Sequence, residues 1–368
     1  MAAAVVAASL AATACAGPTG HAVAGATGVK VGFVLVGNRH DLGYNQAVWE
    51  GSEAVAEAFP DIEVLRAEDV PETAAATRVM ERMIRQGARI VFASSFGYLA
   101  SAVAVARRHP DVVVLHQGGV EPVPRLANLG TYFGAVYEPV YEAGIAAGAA
   151  TRTGKLGFVA AFPIPATFNN VNAFTLGARS VNPSVTTTVT FTGAWCAPVA
   201  QAVAARALLL LGVDVLTQHQ DCTRTVLEAA EAAGVYSVGY HYDGSEVAPR
   251  GWLAGSVWAW GDLFVDMVRT VEAGRFAQSV YGTDFRGSAR TGDNPAVLTE
   301  LSPAVPAAAA GLIEAAERRF RAGGSPFAGP VLDRDGRERI AAGTAPSEPE
   351  IDRMNWFVQG VVGDIPTK

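Results

Sequence analysis

The chain has 368 residues, half of them hydrophobic and 17% charged, with a formal net charge of −7. That composition belongs to a well-cored globular protein and excludes disorder as its main state. An acidic chain with no basic stripe argues against a nucleic-acid partner, and no later apolar run approaches the length of a membrane span.

Residues 1–15 read as a lipoprotein signal peptide. Met1 to Ala14 is apolar apart from Ser9 and Thr13, and small residues lead into Cys15, the position a lipid anchor would take. An ordinary secretory cleavage site is the plainer alternative. Residues 16–28 are Gly, Ala, Thr and Pro without periodicity and read as a flexible tether. The remainder is therefore expected outside the cell, anchored through Cys15 to the outer face of the cytoplasmic membrane.

A short β-branched run at 31–36 predicts a buried strand. It breaks at Gly37-Asn38 into a loop holding Arg39, His40, Asp41, Tyr44 and Asn45. Ala47, Val48, Gly51, Ala54 and Val55 then recur at helical spacing, with Glu50, Glu53 and Glu57 on the opposite face. Strands at 62–65, 90–92 and 112–115 alternate with helices at 73–86 and 99–108, and 128–133 closes this series. After a helix at 139–151 the alternation restarts. Strands at 156–161, 185–191, 213–217 and 236–240 alternate with helices at 168–180, 198–211 and 223–233. A last helix spans 304–323, and 323–363 is rich in turn residues. Two successive βα series of similar length predict an α/β protein of two doubly wound parallel-sheet lobes rather than one closed barrel.

In such sheets ligands sit at the carboxyl ends of the strands. The first lobe places Asp41, Tyr44, Asn45, Ser95, Phe96 and His116 there. The second places Trp195, His219, Asp221, His241 and Asp243. Rings mixed with amides and carboxylates suit a flat, hydrogen-bonding molecule. One enzymatic alternative is a serine hydrolase of α/β type. Ala93-Ser94-Ser95-Phe96-Gly97 approximates a nucleophile elbow around Ser95, with Asp221 or Asp243 and His241 downstream, but an alanine replaces the first glycine. His219, Asp221, Cys222 and His241 match no standard metal spacing, so neither metal nor cofactor is expected. Cys196 and Cys222 each follow a strand of the second series, and either a disulfide or two free thiols fits that placement.

Two stretches carry a family likeness: Asp41, Tyr44, Asn45, Glu50 and Gly51 in a D-x-x-[FY]-N-x-x-x-x-E-G pattern, and Gly193, Trp195 and Pro198 in G-x-[FW]-x-x-P. With them the chain, from Lys30 to about Gly329, resembles the basic membrane protein family of ABC-transporter substrate-binding lipoproteins, relatives of purine nucleoside receptors. The resemblance implies a type I periplasmic-binding-protein fold, its lobes joined by a three-segment hinge. It implies domains of 29–133 plus 251–275 and 134–250 plus 276–330, with 331–368 as a C-terminal extension. It also implies that Tyr44 and Trp195 sandwich a purine while Asp41 and Asn45 hydrogen-bond its edge. Nucleoside-binding members carry a Lys and an acidic pair for the ribose. Here Gly251 to Val268 contains no Lys or Arg, Trp258 and Trp260 stand in that region, and His241 and Asp243 occupy the acidic one. Losing a charged donor removes a bond of about 1.5–3 kcal/mol, which favours a free nucleobase over an intact nucleoside.

The expected protein is thus no enzyme. It is a monomeric, extracytoplasmic solute-binding protein that captures a purine-type nucleobase or nucleoside and delivers it to an ABC permease with its ATPase subunits. A lipid-anchored sensor of a non-purine ligand is the other alternative.

Overall fold

The computed structural model describes residues 29–118 and 124–366, so the expected signal peptide, the expected tether and Cys15 lie outside the described residues. The first series folds as β1 (Lys30–Leu35), α1 (Tyr44–Ala58), β2 (Glu63–Ala67), α2 (Ala74–Arg85), β3 (Ala88–Ser94), α3 (Leu99–Arg108), β4 (Val113–Gln117) and β5 (Leu129–Gly134). The alternation of apolar strands with amphipathic helices lets each helix cover one sheet face. Thr73 starts α2 as expected, its hydroxyl accepting from the Ala75 N–H at 3.2 Å.

The second series runs α4 (Tyr137–Ala150), β6 (Lys155–Ala160), α5 (Pro165–Val181), β7 (Thr186–Phe191), α6 (Pro198–Leu210), β8 (Val215–His219), α7 (Arg224–Ala233) and β9 (Tyr236–His241). Then follow β10 (Trp252–Trp258), α8 (Gly261–Glu272), β11 (Asp284–Gly287), β12 (Ala296–Leu298) and α9 (Ala307–Arg321). The chain closes with β13 (Val331–Leu332), β14 (Glu338–Ile340), α10 (Glu348–Ile351) and β15 (Val361–Val362).

Two sheets result. One has the order β11-β5-β4-β3-β1-β2, the other β12-β10-β9-β8-β6-β7-β15. Within these two sheets every pairing is parallel except β12 on β10, while β13 and β14 pair antiparallel on their own. The main chain passes between the sheets between β5 and β6, between β10 and α8, and between β11 and β12, which makes the three-segment hinge. The fold is the periplasmic-binding type I architecture.

The lobe boundaries differ from expectation after residue 250. Trp252–Trp258 was placed with the first lobe but is β10, paired with β9 in the second sheet. Residues 276–287 were placed with the second lobe but end in β11, which pairs with β5 in the first. Helix α8 also belongs to the first lobe, its Phe264 ring lying 4.9 Å from Phe92 and 5.4 Å from Phe33. Strand β10 is hard to read because Trp, Ala and Gly replace the usual β-branched residues. The Trp252 indole lies across Gly239, where a Cβ has no room. The C-terminal extension is no appendage either. Strand β15 adds an edge to β7, and Asn172 bonds the tail twice, donating to the Trp356 carbonyl at 2.9 Å and accepting from the Val358 N–H at 2.9 Å.

Helix α4 is buried on nearly all sides. It packs backbone to backbone on α5, with Gly144 against the Phe174 carbonyl and Gly177 against the Tyr141 carbonyl, leaving no space for a side chain. Helix α9 covers another side, the Tyr141 and Phe320 rings lying 5.7 Å apart.

Candidate functional site

The loop after β1 is built around Asp41. One carboxylate oxygen accepts from the Gly43 and Gln46 N–H groups at 2.9 and 3.0 Å; the other accepts from the Asn45 N–H at 3.0 Å and its side-chain amide at 2.8 Å. These are the unpaired donors of the start of α1, and an anion there is stabilised by the helix dipole. Asn45 is equally occupied, accepting from the Gly37 N–H at 2.9 Å and reaching Asp221 in the other lobe at 3.4 Å. Asp41 and Asn45, expected to bind a ligand edge, instead shape the loop, and neither lines the cavity between the lobes.

That cavity holds about 710 Å³ of non-protein space, its open mouth included. Of the residues expected to meet a ligand, Tyr44, Ser95, Phe96, Trp195, His219, Asp221 and His241 line it. His116 and Trp258 stand one layer behind. The His116 ring bonds the Ser95 and Phe96 carbonyls at 3.0 and 3.2 Å and so holds that loop in place. Trp258 donates to His241 Nδ1 at 2.8 Å. Asp243 is exposed and accepts from the Ser245 N–H at 2.9 Å, so it has a turn to hold and no cavity to line.

The Ser95 hydroxyl donates to Glu72 at 2.5 Å, not to a histidine, so the nucleophile–base pair of a hydrolase is not formed. Glu72 was not singled out by the sequence, because isolated surface acids are common. Its carboxylate also accepts from the Gly97 N–H at 2.8 Å and from the Trp195 indole of the opposite lobe at 3.2 Å. Further contacts cross the cleft: Tyr242 donates to Glu50 at 2.7 Å, and the Thr223 hydroxyl donates to the Leu42 carbonyl. Cys196 and Cys222 form a disulfide, Cα atoms 5.0 Å apart, which joins the Trp195 loop to the Asp221 loop. Among the described residues no cluster of His, Cys, Asp or Glu could hold a metal ion.

Burial pushes several titratable groups of the wall toward their neutral forms. Burial lowers His219 to about 3 and drives His241 well below its ordinary value, helped by the nearby His219. Burial, reinforced by the Asp41 charge, raises Asp221 well above the usual carboxylate range. The indole proton on His241 Nδ1 leaves that ring's own proton on Nε2, 3.8 Å from Asp221 Oδ1. His241 sits at φ +68, a strained conformation for a non-glycine residue that clusters at functional sites.

Several lining residues were not foreseen. Asn169 and Asn170 lie on α5, Tyr240 is the next-to-last residue of β9, and Asn170 donates to the Tyr240 hydroxyl at 2.7 Å and to His219 Nδ1 at 3.1 Å. Asn169 Oδ1, Asn170 Oδ1 and Gln117 Nε2 are buried without a hydrogen-bond partner, a state rare enough to point to an outside partner. Adjacent asparagines on the buried face of a helix were the readable signal for the first two.

Residues 28–283 match the family described as Bmp, ABC transporter substrate-binding protein PnrA-like. The chain belongs to the Bmp family. A purine-binding protein of Brucella abortus is 31% identical over 92% of this chain and 94% of its own. A Haloferax volcanii protein named for glucose binding in an ABC transporter is 32% identical over 92% of this chain and 82% of its own. The solved structure of an ABC transporter solute-binding protein from Aeropyrum pernix aligns with TM-score 0.70 at 17% identity, covering 80% of this chain and 92% of that one. This Bmp protein is accordingly a small-molecule binder of an ABC transport system and not an enzyme. The family is extracytoplasmic, and among the described residues no helix is long and apolar enough to cross a membrane.

Proposed function

We propose that this Bmp protein captures a purine-type nucleobase or nucleoside between its lobes and delivers it to the permease. The observation that carries this reading is the cavity wall: Tyr44 from one lobe and Trp195 from the other, with unpartnered amides in the same wall and His219 and His241 held uncharged by burial. Neutral groups and rings suit an uncharged flat heterocycle and disfavour an amino acid or a phosphate. The name of the Brucella relative supports the same class. Closure of the lobes about the hinge would complete the site and present the closed form to the permease. A lipid on Cys15 would keep the protein near that permease.

Titration calorimetry with adenine, guanine, xanthine, adenosine, guanosine and glucose tests the reading. Binding of at least one purine, lost on Trp195→Ala, is expected. Glucose binding with no purine binding would sink it.

A further inference from the structure

A second cavity opens beside the hinge. It holds about 1230 Å³ of non-protein space, its open mouth included, and shares no lining residue with the cleft. Its walls are α4, α9 and the chain from Ser288 to Leu301, which contains the last crossover between the sheets. Glu138 and Glu142 on α4 line it, with Glu314, Glu317 and Arg321 on α9 and Glu300 after β12. The α9 acids are exposed, and each pairs with an arginine one turn on: Glu314 with Arg318 at 3.5 Å and Glu317 with Arg321 at 2.5 Å. Glu138 accepts at one oxygen from the Ala289 N–H and the Asn294 amide, both at 2.9 Å. Glu142 is different. It is only 6% exposed and lines the cavity, yet among the described residues it accepts no hydrogen bond and pairs with no cation. A carboxyl group withdrawn from water costs free energy until a partner meets it.

We propose that this cavity is a second binding site, separate from the cleft, which takes a small aliphatic ammonium ion at Glu142. The carboxylate accepts from the ammonium head, with Glu138 one turn earlier on the same helix adding negative charge. Leu298, Leu301 and Ile313, in the same wall, cover the methylenes behind the head. An anion would meet carboxylates on all three walls and one arginine already paired. A metal ion is poorly served, since no three ligating side chains converge among the described residues. Burial raises Glu142 to about 8, with Glu317 and Glu138 adding to the rise and Arg321 opposing it; burial likewise raises Glu138 to about 7. Without a cation Glu142 therefore keeps its proton at neutral pH, and an ammonium ion displaces it. Affinity should then rise with pH up to about 8.

Titration calorimetry on the full chain with butylamine and 1,4-diaminobutane tests the site, with 1-butanol and magnesium chloride for comparison. At least one amine should bind, about tenfold more tightly at about pH 8.5 than at about pH 6.5, and neither butanol nor magnesium should. Glu142→Gln should lower amine affinity by about tenfold or more and remove most of its pH dependence. The amide matches the protonated carboxyl in shape, and melting temperature reports whether the fold is kept. Ala310→Trp fills the cavity from α9 without changing a charge, and it should block the amine as well. Three results would each overturn the site: no binding of either amine at about pH 8.5, butanol or magnesium bound as tightly as the amine, or native amine affinity in either folded variant. The outcome is independent of which molecule fills the cleft.

Discussion

The loop after β1 and the cavity beside the hinge are both acidic, yet they use their carboxylates in opposite ways. Asp41 directs both carboxylate oxygens into its own helix start and has nothing left to offer. Glu142 is as deeply buried and among the described residues has no hydrogen-bond partner. A dense cluster of polar residues at a strand end is therefore a weaker sign of ligand contact than one buried atom left unsatisfied. The same contrast separates Asn45, saturated on both sides, from Asn169 and Asn170.

The contrast can be broken by substitution. The largest effect is expected at the rings: Tyr44→Ala and Trp195→Ala should each weaken purine binding by about tenfold to a hundredfold, as stacking contacts of about 1–3 kcal/mol would give. Near-native affinity in either variant by calorimetry would remove the sandwich. Asp41→Ala should act mainly on stability, costing about 1–2 kcal/mol for the lost helix start, read from denaturant midpoints. An unchanged midpoint with lost affinity would return Asp41 to the ligand and erase the distinction.

A buried pair away from the cleft sharpens it by pH. Glu138 and Glu142 on α4 are raised by burial from 4.5 to about 7 and about 8. Folded protein then holds protons that the unfolded chain releases above about pH 4.5, so stability falls as pH rises from about 5 to 8. Glu142→Gln should flatten that fall in melting temperature, and equal slopes would refute the assignment. The smallest effect is expected at Glu72, exposed although it touches both lobes. Glu72→Gln should weaken ligand binding by no more than about fivefold, since exposed contacts contribute about 0–1 kcal/mol. A loss as large as that of Trp195→Ala would make Glu72 a ligand contact rather than a brace.

Much of the architecture was legible because its signals are local. The two βα series, the Thr73 helix start and the aromatic pair Tyr44 and Trp195 each lie in one short stretch. Strand β10 escaped because its packing depends on glycines of a neighbouring strand. Asp243 was misjudged because a turn aspartate and a ligand aspartate look alike in sequence. Glu142 escaped because the walls of its cavity are distant in sequence, and only the packing of α9 and the last crossover against α4 brings them together.

By itself the sequence determined that two α/β lobes form, that polar loops stand at their strand ends, and that rings from both series are available to grip a ligand. Periodicity and chain order suffice for that, because helices and strands record burial at fixed spacings. Only the tertiary structure decided which polar atoms are already satisfied within the protein and which face the cavity. Hydrogen-bond satisfaction is a property of neighbours in space, so Asp41 and Glu142 exchanged their apparent importance once the chain was folded.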